Sequence, residues 1–136
     1  MNALLDLWPR PVHAIPTIYT LAHLTEASRV ALRAYLDERI TPEPNTGCWL
    51  WLGELNEKGY GRVIIGGTRR PTHRVMWLLE RGDIPVGLVT DHRVCAQRSC
   101  CNPAHLEMVT SNMNGLRAAR ATVARRNARR AAEVTQ

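Results

Sequence analysis

The sequence predicts an α+β fold made of short strands and a few helices. Four short apolar runs bounded by turn-forming residues predict strands, at residues 48–52, 60–65, 86–90 and 105–110. Three helix-type segments each follow a Thr or Ser that can cap a helix. The C-terminal order is strand, Cys-rich loop, strand and long helix, and this order is the most informative feature of the chain.

The first helix is predicted to begin after Thr25 and to run to about Arg39, because Pro42 stands shortly beyond it. Asn56, Lys58 and Gly59 predict a turn between the first two strands, which would make those strands a β-hairpin. Residues 1–23 contain several prolines and predict an extended arm.

Two further helices follow the hairpin region. Thr72 is predicted to cap a short helix at 73–81, which Gly82 would end. Thr110 or Ser111 is predicted to cap a long helix from about 112 to 132. No internal repeat is evident, so we expect one compact unit with appendages.

The positive charge is concentrated at the end of the chain. The 136 residues contain 18 Lys+Arg and 12 Asp+Glu, a net charge of +6. Residues 115–136 carry six arginines and only one acid, whereas residues 1–114 are nearly balanced. This pattern predicts a nucleic-acid contact through the helix arginines, which are Arg117, Arg120, Arg125, Arg126, Arg129 and Arg130. A solvated helix face is the alternative explanation.

Composition also excludes several classes of protein. No apolar stretch approaches the roughly 20 residues of a membrane span, and the early Asp6 and Pro9 do not resemble a signal peptide. We therefore expect a cytoplasmic protein in which the four cysteines are metal ligands or free thiols. Phe is absent, so the core is thin and a metal would help to stabilise it.

The spacing of Cys95, Cys100 and His105 is C-x4-C-x4-H, which supplies three ligands of a kind that zinc accepts. The fourth ligand has to be another Cys or His. Cys101 is a poor candidate, because adjacent residues rarely both reach one ion. Cys48 is the better candidate, since it would tie the first predicted strand to the loop. Ordinary buried thiols remain the alternative.

A second group of polar residues lies around the strand that precedes this loop. Asp91 and His92 stand at the end of the strand, and Asn114 falls in the first turn of the long helix. Carboxylate and amide oxygens suit magnesium, and a histidine can deprotonate water near neutral pH. A helix N-terminus also attracts phosphate. Together these groups are typical of phosphodiester hydrolysis.

The run from Asp91 to Asn114, DHRVCAQRSCCNPAHLEMVTSNMN, resembles the ββα-metal core of HNH endonucleases, also called His-Me finger nucleases. It is most similar to their His-Cys box branch, which includes homing endonucleases and small phage nucleases. The upstream segments GCWLW, GYGR and THR also resemble that branch. The resemblance covers about residues 46–117 and implies a ββα-metal core with a preceding β-hairpin, a structural zinc and flanking helices.

The resemblance implies a role for each matching residue. His92 matches the general base, while Asp91 and Asn114 match ligands of a catalytic Mg²⁺, for which other divalent ions could substitute. Arg74 matches an arginine that holds the scissile phosphate, and Asn102 is a candidate for positioning the loop and the base. The structural zinc set would be Cys48, Cys95, Cys100 and His105.

His105 has a second interpretation, because it lies nine residues before Asn114, where ordinary HNH motifs place an Asn that orients the base. Its role as a zinc ligand or as an orienting residue is therefore open.

The leading hypothesis is a metal-dependent endonuclease acting on double-stranded DNA, with residues 46–117 as the nuclease core. Residues 1–45 would form an arm and helix, and residues 118–136 a basic helix. A homodimer is compatible with this organisation. The alternative is a non-catalytic, zinc-stapled DNA-binding or phage accessory module, for which the residues Asp91, His92 and Asn114 would have no use.

Overall fold

The computed structural model describes residues 21–135. Helix α1 spans Glu26–Asp37, and the Thr25 hydroxyl accepts a hydrogen bond from the Ser28 N–H at 3.1 Å, as the predicted cap requires. Leu32 and Leu36 lie one turn apart on α1, and both side chains are buried, so they form the inner face of the helix. The arm predicted at residues 1–23 lies almost entirely outside the described residues.

The predicted β-hairpin between residues 48–52 and 60–65 is wrong in its pairing. Strand β2 (Trp49–Trp51) pairs with the preceding β1 (Ile40–Pro42), and β3 (Arg62–Ile65) pairs with β4 (Thr68–Pro71). The reason is the Gly66-Gly67 turn, at φ values of 56° and 78°, which joins β3 directly to β4. Two adjacent residues with positive φ are what a tight hairpin turn needs.

The predicted turn at Asn56 exists, because the Asn56 side chain accepts hydrogen bonds from the backbone N–H groups of Lys58 (2.9 Å) and Tyr60 (3.0 Å). Its flanking residues form one isolated bridge, between Leu55 and Gly61, which does not extend into a sheet.

Helix α2 spans Thr72–Glu80 and begins one residue earlier than predicted. Pro71 occupies the cap position, and Thr72 is fully buried within the first turn, so its hydroxyl does not cap the helix. Arg81 and Gly82, the latter at φ 96°, end the helix as expected.

The last three elements form the ββα unit predicted by the resemblance. Strand β5 (Leu88–His92) pairs antiparallel with β6 (Leu106–Thr110), and α3 (Ser111–Val134) follows without a loop. The Thr110 hydroxyl caps α3 by accepting from the Met113 N–H at 3.1 Å. Strand β5 starts two residues later than predicted, because Pro85 and Gly87 form a turn before it.

The hydrophobic core lies between α1, the β3–β4 hairpin and α2. Trp51 is buried against Gly53 and Gly61, where an added Cβ would lie 2.6 Å and 2.8 Å from the indole ring. Cys101 is a buried core thiol, as expected, with Sγ 3.3 Å from the Trp49 carbonyl oxygen. Burial raises the pKa of this thiol to about 12.

Helix α3 is exposed along its length, and none of its described residues is buried. Its 24 residues correspond to roughly 36 Å, and it contacts both β5 and β6. Among residues 21–135, no helix has the length and apolar character needed to cross a membrane.

Candidate active site and metal centre

The structure brings together the four residues predicted as a zinc set. One potential ligand atom from each of Cys48, Cys95, Cys100 and His105 lies within 4.8 Å of the others. His105 Nδ1 is 3.6 Å from both Cys48 Sγ and Cys100 Sγ. A tetrahedral zinc with normal Zn–N and Zn–S bonds would separate such atoms by roughly 3.6 Å. The cluster therefore has the donor set and spacing to hold a structural metal such as zinc.

Backbone pairing explains how Cys48 reaches a loop some fifty residues later. Strand β2 lies against that loop, with the Trp51 N–H donating to Ser99 O at 3.0 Å and the Cys101 N–H donating to Trp49 O at 2.9 Å. Leu50 and Cys100 form the bridge between them. These contacts place Cys48, just before β2, beside the loop cysteines.

Asn102 supports this arrangement from the other side of the loop. Its Nδ2 donates to Gly47 O at 2.8 Å, and its Oδ1 accepts from Ala104 N–H at 3.0 Å. Asn102 therefore ties the loop to the residue before Cys48, and it is not among the residues lining the cavity at His92. Its predicted effect on the base can only be indirect, through the loop.

Two thiols of the cluster lose their protons less readily than a free cysteine does. Burial raises the pKa of Cys95 above its ordinary value and that of Cys100 to about 12. Since zinc binds the thiolate form, metal binding has to displace these protons.

His92 is the last residue of β5 and lines a cavity of about 520 Å³. Its Nε2 lies 2.8 Å from the carbonyl oxygen of Cys100. A carbonyl oxygen only accepts, so Nε2–H donates this bond, and the neutral ring then has its lone pair on Nδ1. The arrangement leaves Nδ1 as the proton-accepting nitrogen.

Three of the other four predicted catalytic residues line the same cavity, and Asn102 does not. Asp91, Asn114 and Arg74 all contribute to its wall together with His92. Asp91 and Asn114 are half-buried, and their oxygens are the hard donors that Mg²⁺ prefers. The β5 end, the first turn of α3 and the first turn of α2 thus converge on one site.

Two aromatic neighbours of His92 were not predicted from the sequence. The centroid of the His92 ring lies 5.4 Å from that of His73 and 5.9 Å from that of Tyr60. Burial, with smaller contributions from His92 and Arg74, lowers the pKa of His73 to about 3, so this ring is neutral. His73 carries no motif that predicts a functional role, and its position directly before Arg74 is the only local signal that could have indicated one.

The cavity is strongly basic. The sequence did not indicate this, because the charges of residues 1–114 nearly cancel when they are counted along the chain. Asp91 is the only carboxylate among the described residues that line it. The basic lining residues come from the Asn56 turn, the β3–β4 hairpin, α2 and the Cys loop: Lys58, Arg62, Arg69, Arg70, Arg74 and Arg98. Such a concentration of cations favours a phosphate-bearing ligand.

The predicted DNA-binding arginines of α3 divide into two groups. Arg117 forms ion pairs with Asp91, at 3.1 Å, and with Glu107. The remaining members are exposed along the helix: Arg120, Arg125, Arg126, Arg129 and Arg130. Arg117 is exposed as well, but its guanidinium is paired with two carboxylates, whereas the second group forms no ion pair among the described residues.

The β5–β6–α3 unit, with a histidine at the strand end and a Cys/His cluster in the loop, is the core of an α+β HNH protein. The family model for HNH endonucleases matches residues 70–116, which contain α2, β5, the Cys loop, β6 and the start of α3. The chain therefore carries an HNH endonuclease domain at residues 70–116. This match indicates a nuclease-type function.

Three phage proteins are similar to the chain. Protein 2.8 of Escherichia phage T7 is 39% identical over 85 residues, covering 61% of this chain and 56% of its own. The uncharacterized gene 5.3 protein of Enterobacteria phage T3 is 37% identical over 71 residues, covering 47% and 69% respectively. Protein 7.7 of Escherichia phage T7 is 36% identical over 67 residues, covering 49% and 51%. The chain thus spans little more than half of the first relative, and no solved structure matches it.

Proposed function

We propose that this protein is a metal-dependent DNA endonuclease in which His92 is the general base. The observation that carries the proposal is the hydrogen bond from His92 Nε2 to Cys100 O, because it directs an unprotonated Nδ1 to accept a proton. In this mechanism Nδ1 takes the proton of a water molecule as the water attacks phosphorus.

Asp91 and Asn114 would hold the catalytic Mg²⁺ through a carboxylate and an amide oxygen. When bound, the ion supplies Lewis-acid stabilisation of the charge that develops on the leaving 3′ oxygen. The side chains themselves set where the phosphate sits, and Arg74, on the same cavity wall, would donate to a non-bridging phosphate oxygen.

The Cys48, Cys95, Cys100 and His105 cluster would hold zinc in a structural role. Four protein ligands complete the tetrahedron, so the ion would keep no open position for substrate. The Nδ1 distances to the thiols support His105 as a ligand over the alternative in which it orients His92.

DNA would contact two basic surfaces. The cationic cavity wall would hold the strand that is cut, and the exposed arginines of α3 would neutralise backbone phosphates further along the duplex. We place the nuclease core at residues 46–117 and the basic segment at 118–136. Helix α3 continues through this boundary without a break, so both parts would move as one body.

A supercoiled plasmid incubated with the zinc-loaded protein and Mg²⁺ tests the proposal. The wild type should convert it to nicked or linear DNA, and His92→Ala should not, while binding the same DNA with unchanged affinity. Linear product formed in single encounters would indicate a homodimer, since residues 21–135 of each chain offer one such site. A wild type that binds DNA but cuts none under any divalent ion would favour the non-catalytic module.

A further inference from the structure

A pair of carboxylates and one arginine lie beside the proposed magnesium ligands. Asp91 and Glu107 are directly opposite each other in the antiparallel β5–β6 pair. The guanidinium Nη1 of Arg117 bridges them, donating to Asp91 Oδ2 at 3.1 Å and to Glu107 Oε1. Like charges in opposed strand positions repel, so the bridge also stabilises the strand pair.

The bridge lies outside the cavity. Asp91 and Asn114 line the cavity with His92, whereas Arg117 and Glu107 are not among the described residues that do so. Arg117 stands three residues after Asn114, which is about one turn along α3. Asp91 therefore lines the cavity together with Asn114 and contacts a guanidinium that lies outside it.

We propose that Arg117 is a positioning residue, which keeps the catalytic metal on the Asn114 side of Asp91 by occupying Glu107 and one oxygen of Asp91. This inference rests on the proposed function, because it takes Asp91 as a ligand of the catalytic ion. It replaces the earlier expectation that Arg117 contacts DNA.

The physical argument concerns the alternative site that Arg117 blocks. Two opposed carboxylates attract a divalent cation more strongly than one carboxylate and one amide do, since hard cations prefer charged oxygen ligands. Without the guanidinium, the ion would gain Glu107 as a ligand. It would then sit away from His92, so tighter metal binding would accompany slower cleavage.

The exposed Arg120 provides a matched control, since it lies three residues further along α3. The charge of Arg117 is offset by two carboxylates, and these contacts raise the pKa of its guanidinium. Two carboxylates already engage Nη1 of Arg117, and their negative charge would repel a phosphate approaching this guanidinium. Arg120 is exposed, so its removal should weaken DNA binding.

The test measures Mn²⁺ and Mg²⁺ binding by titration calorimetry on zinc-loaded wild type, Arg117→Ala and Arg120→Ala, together with DNA affinity and plasmid cleavage. Arg117→Ala should bind the divalent ion about tenfold more tightly and cleave at least about tenfold more slowly at saturating Mg²⁺, with DNA affinity unchanged. Arg120→Ala should show weaker DNA binding and unchanged metal affinity.

Two further variants distinguish a change in metal position from a general loss of structure. Adding Glu107→Gln to Arg117→Ala removes the competing carboxylate, so the double variant should return to wild-type metal affinity and recover most of the cleavage. Arg117→Lys keeps one charge and should shift both quantities in the same directions by smaller factors.

Weaker DNA binding with unchanged metal affinity in Arg117→Ala would assign Arg117 to the DNA interface and overturn the proposal. Weaker metal binding in Arg117→Ala, or no recovery in the double variant, would overturn it as well. A wild type without cleavage activity would refute the proposed function, while the calorimetric comparison would still report on Arg117 itself.

Discussion

The imidazole of His92 donates a hydrogen bond to the carbonyl oxygen of Cys100, and the thiol of that same Cys100 belongs to the Cys/His cluster. One residue thus connects the candidate base to the candidate zinc site. The carbonyl stays in place only while the loop keeps its shape. A structural zinc would therefore act on catalysis through the orientation of His92, without touching the substrate.

Replacing Cys48 with Ser should abolish zinc binding and reduce cleavage together. The cluster would lose the ligand that joins β2 to the loop, and the Cys100 carbonyl would no longer be fixed. Elemental analysis, the thermal unfolding midpoint and the plasmid assay measure the three effects. Cys101→Ala is the control, because this thiol lies in the core and outside the cluster. It should lower stability yet keep one zinc per chain.

His73 should make the protein less stable as the pH falls below about 6.5. Its pKa is lowered to about 3 in the folded state, so the unfolded chain binds more protons between these two values. Its contribution to the free energy of unfolding should be fully present above pH 6.5 and reduced by about 2 kcal/mol at pH 5. Urea unfolding at several pH values, with zinc content held constant, measures this slope.

His73→Phe is the matched variant for that experiment, since it keeps a ring beside His92 and removes the titrating nitrogens. The loss of stability between pH 8 and pH 5 should be smaller by the same amount. An identical pH slope in His73→Phe would show that other groups cause the acid destabilisation.

Gly61→Ala should destabilise the fold by about 1–3 kcal/mol, because the new Cβ would overpack a buried site. It would lie 2.8 Å from the Trp51 ring and 3.1 Å from the Thr72 hydroxyl. Gly115→Ala is the control, since an added Cβ there meets nothing within 4 Å on helix α3. It should stabilise the protein by about 0.5–1 kcal/mol. Chemical unfolding midpoints compare the two, and equal effects would contradict this packing.

Replacing Arg129 and Arg130 with Ala should weaken DNA binding and flatten its salt dependence. Both residues are exposed on α3 beside Arg125 and Arg126, where only Glu133 opposes them. If each arginine contacts one phosphate, the slope of log K against log salt should fall by about 2. Fluorescence anisotropy at several salt concentrations measures the slope. An unchanged slope would remove this part of α3 from the DNA interface.

Local signals in the sequence were sufficient for the helix starts, whereas the ββα unit and the full Cys/His cluster were predicted with the help of the family resemblance. Thr25 and Thr110 cap their helices as predicted, because capping depends on residues within one turn. Cys48 could be predicted as a zinc ligand although it lies far from the loop in sequence, because zinc needs a fourth ligand and few other Cys or His residues are candidates. The family match to residues 70–116 then agrees with the motif from Asp91 to Asn114.

Features that depend on pairing between distant elements were missed. The Gly66-Gly67 turn pairs β3 with β4, so β3 is not available as the partner of the strand at 48–52. The ring contacts of His92 come from Tyr60 and His73 on other elements, and the basic cavity wall collects cations from four separate segments. The net charge of a sequence segment does not show that cations from separate segments meet on one surface.

The cleavage rate of His92→Ala, compared with wild type on supercoiled plasmid in Mg²⁺, tests the central claim most directly. Loss of the general base should lower the rate by about 10²–10⁴-fold, with zinc content and DNA affinity unchanged. A folded, zinc-loaded His92→Ala that cuts the plasmid at the wild-type rate would contradict the assignment of His92 as the base.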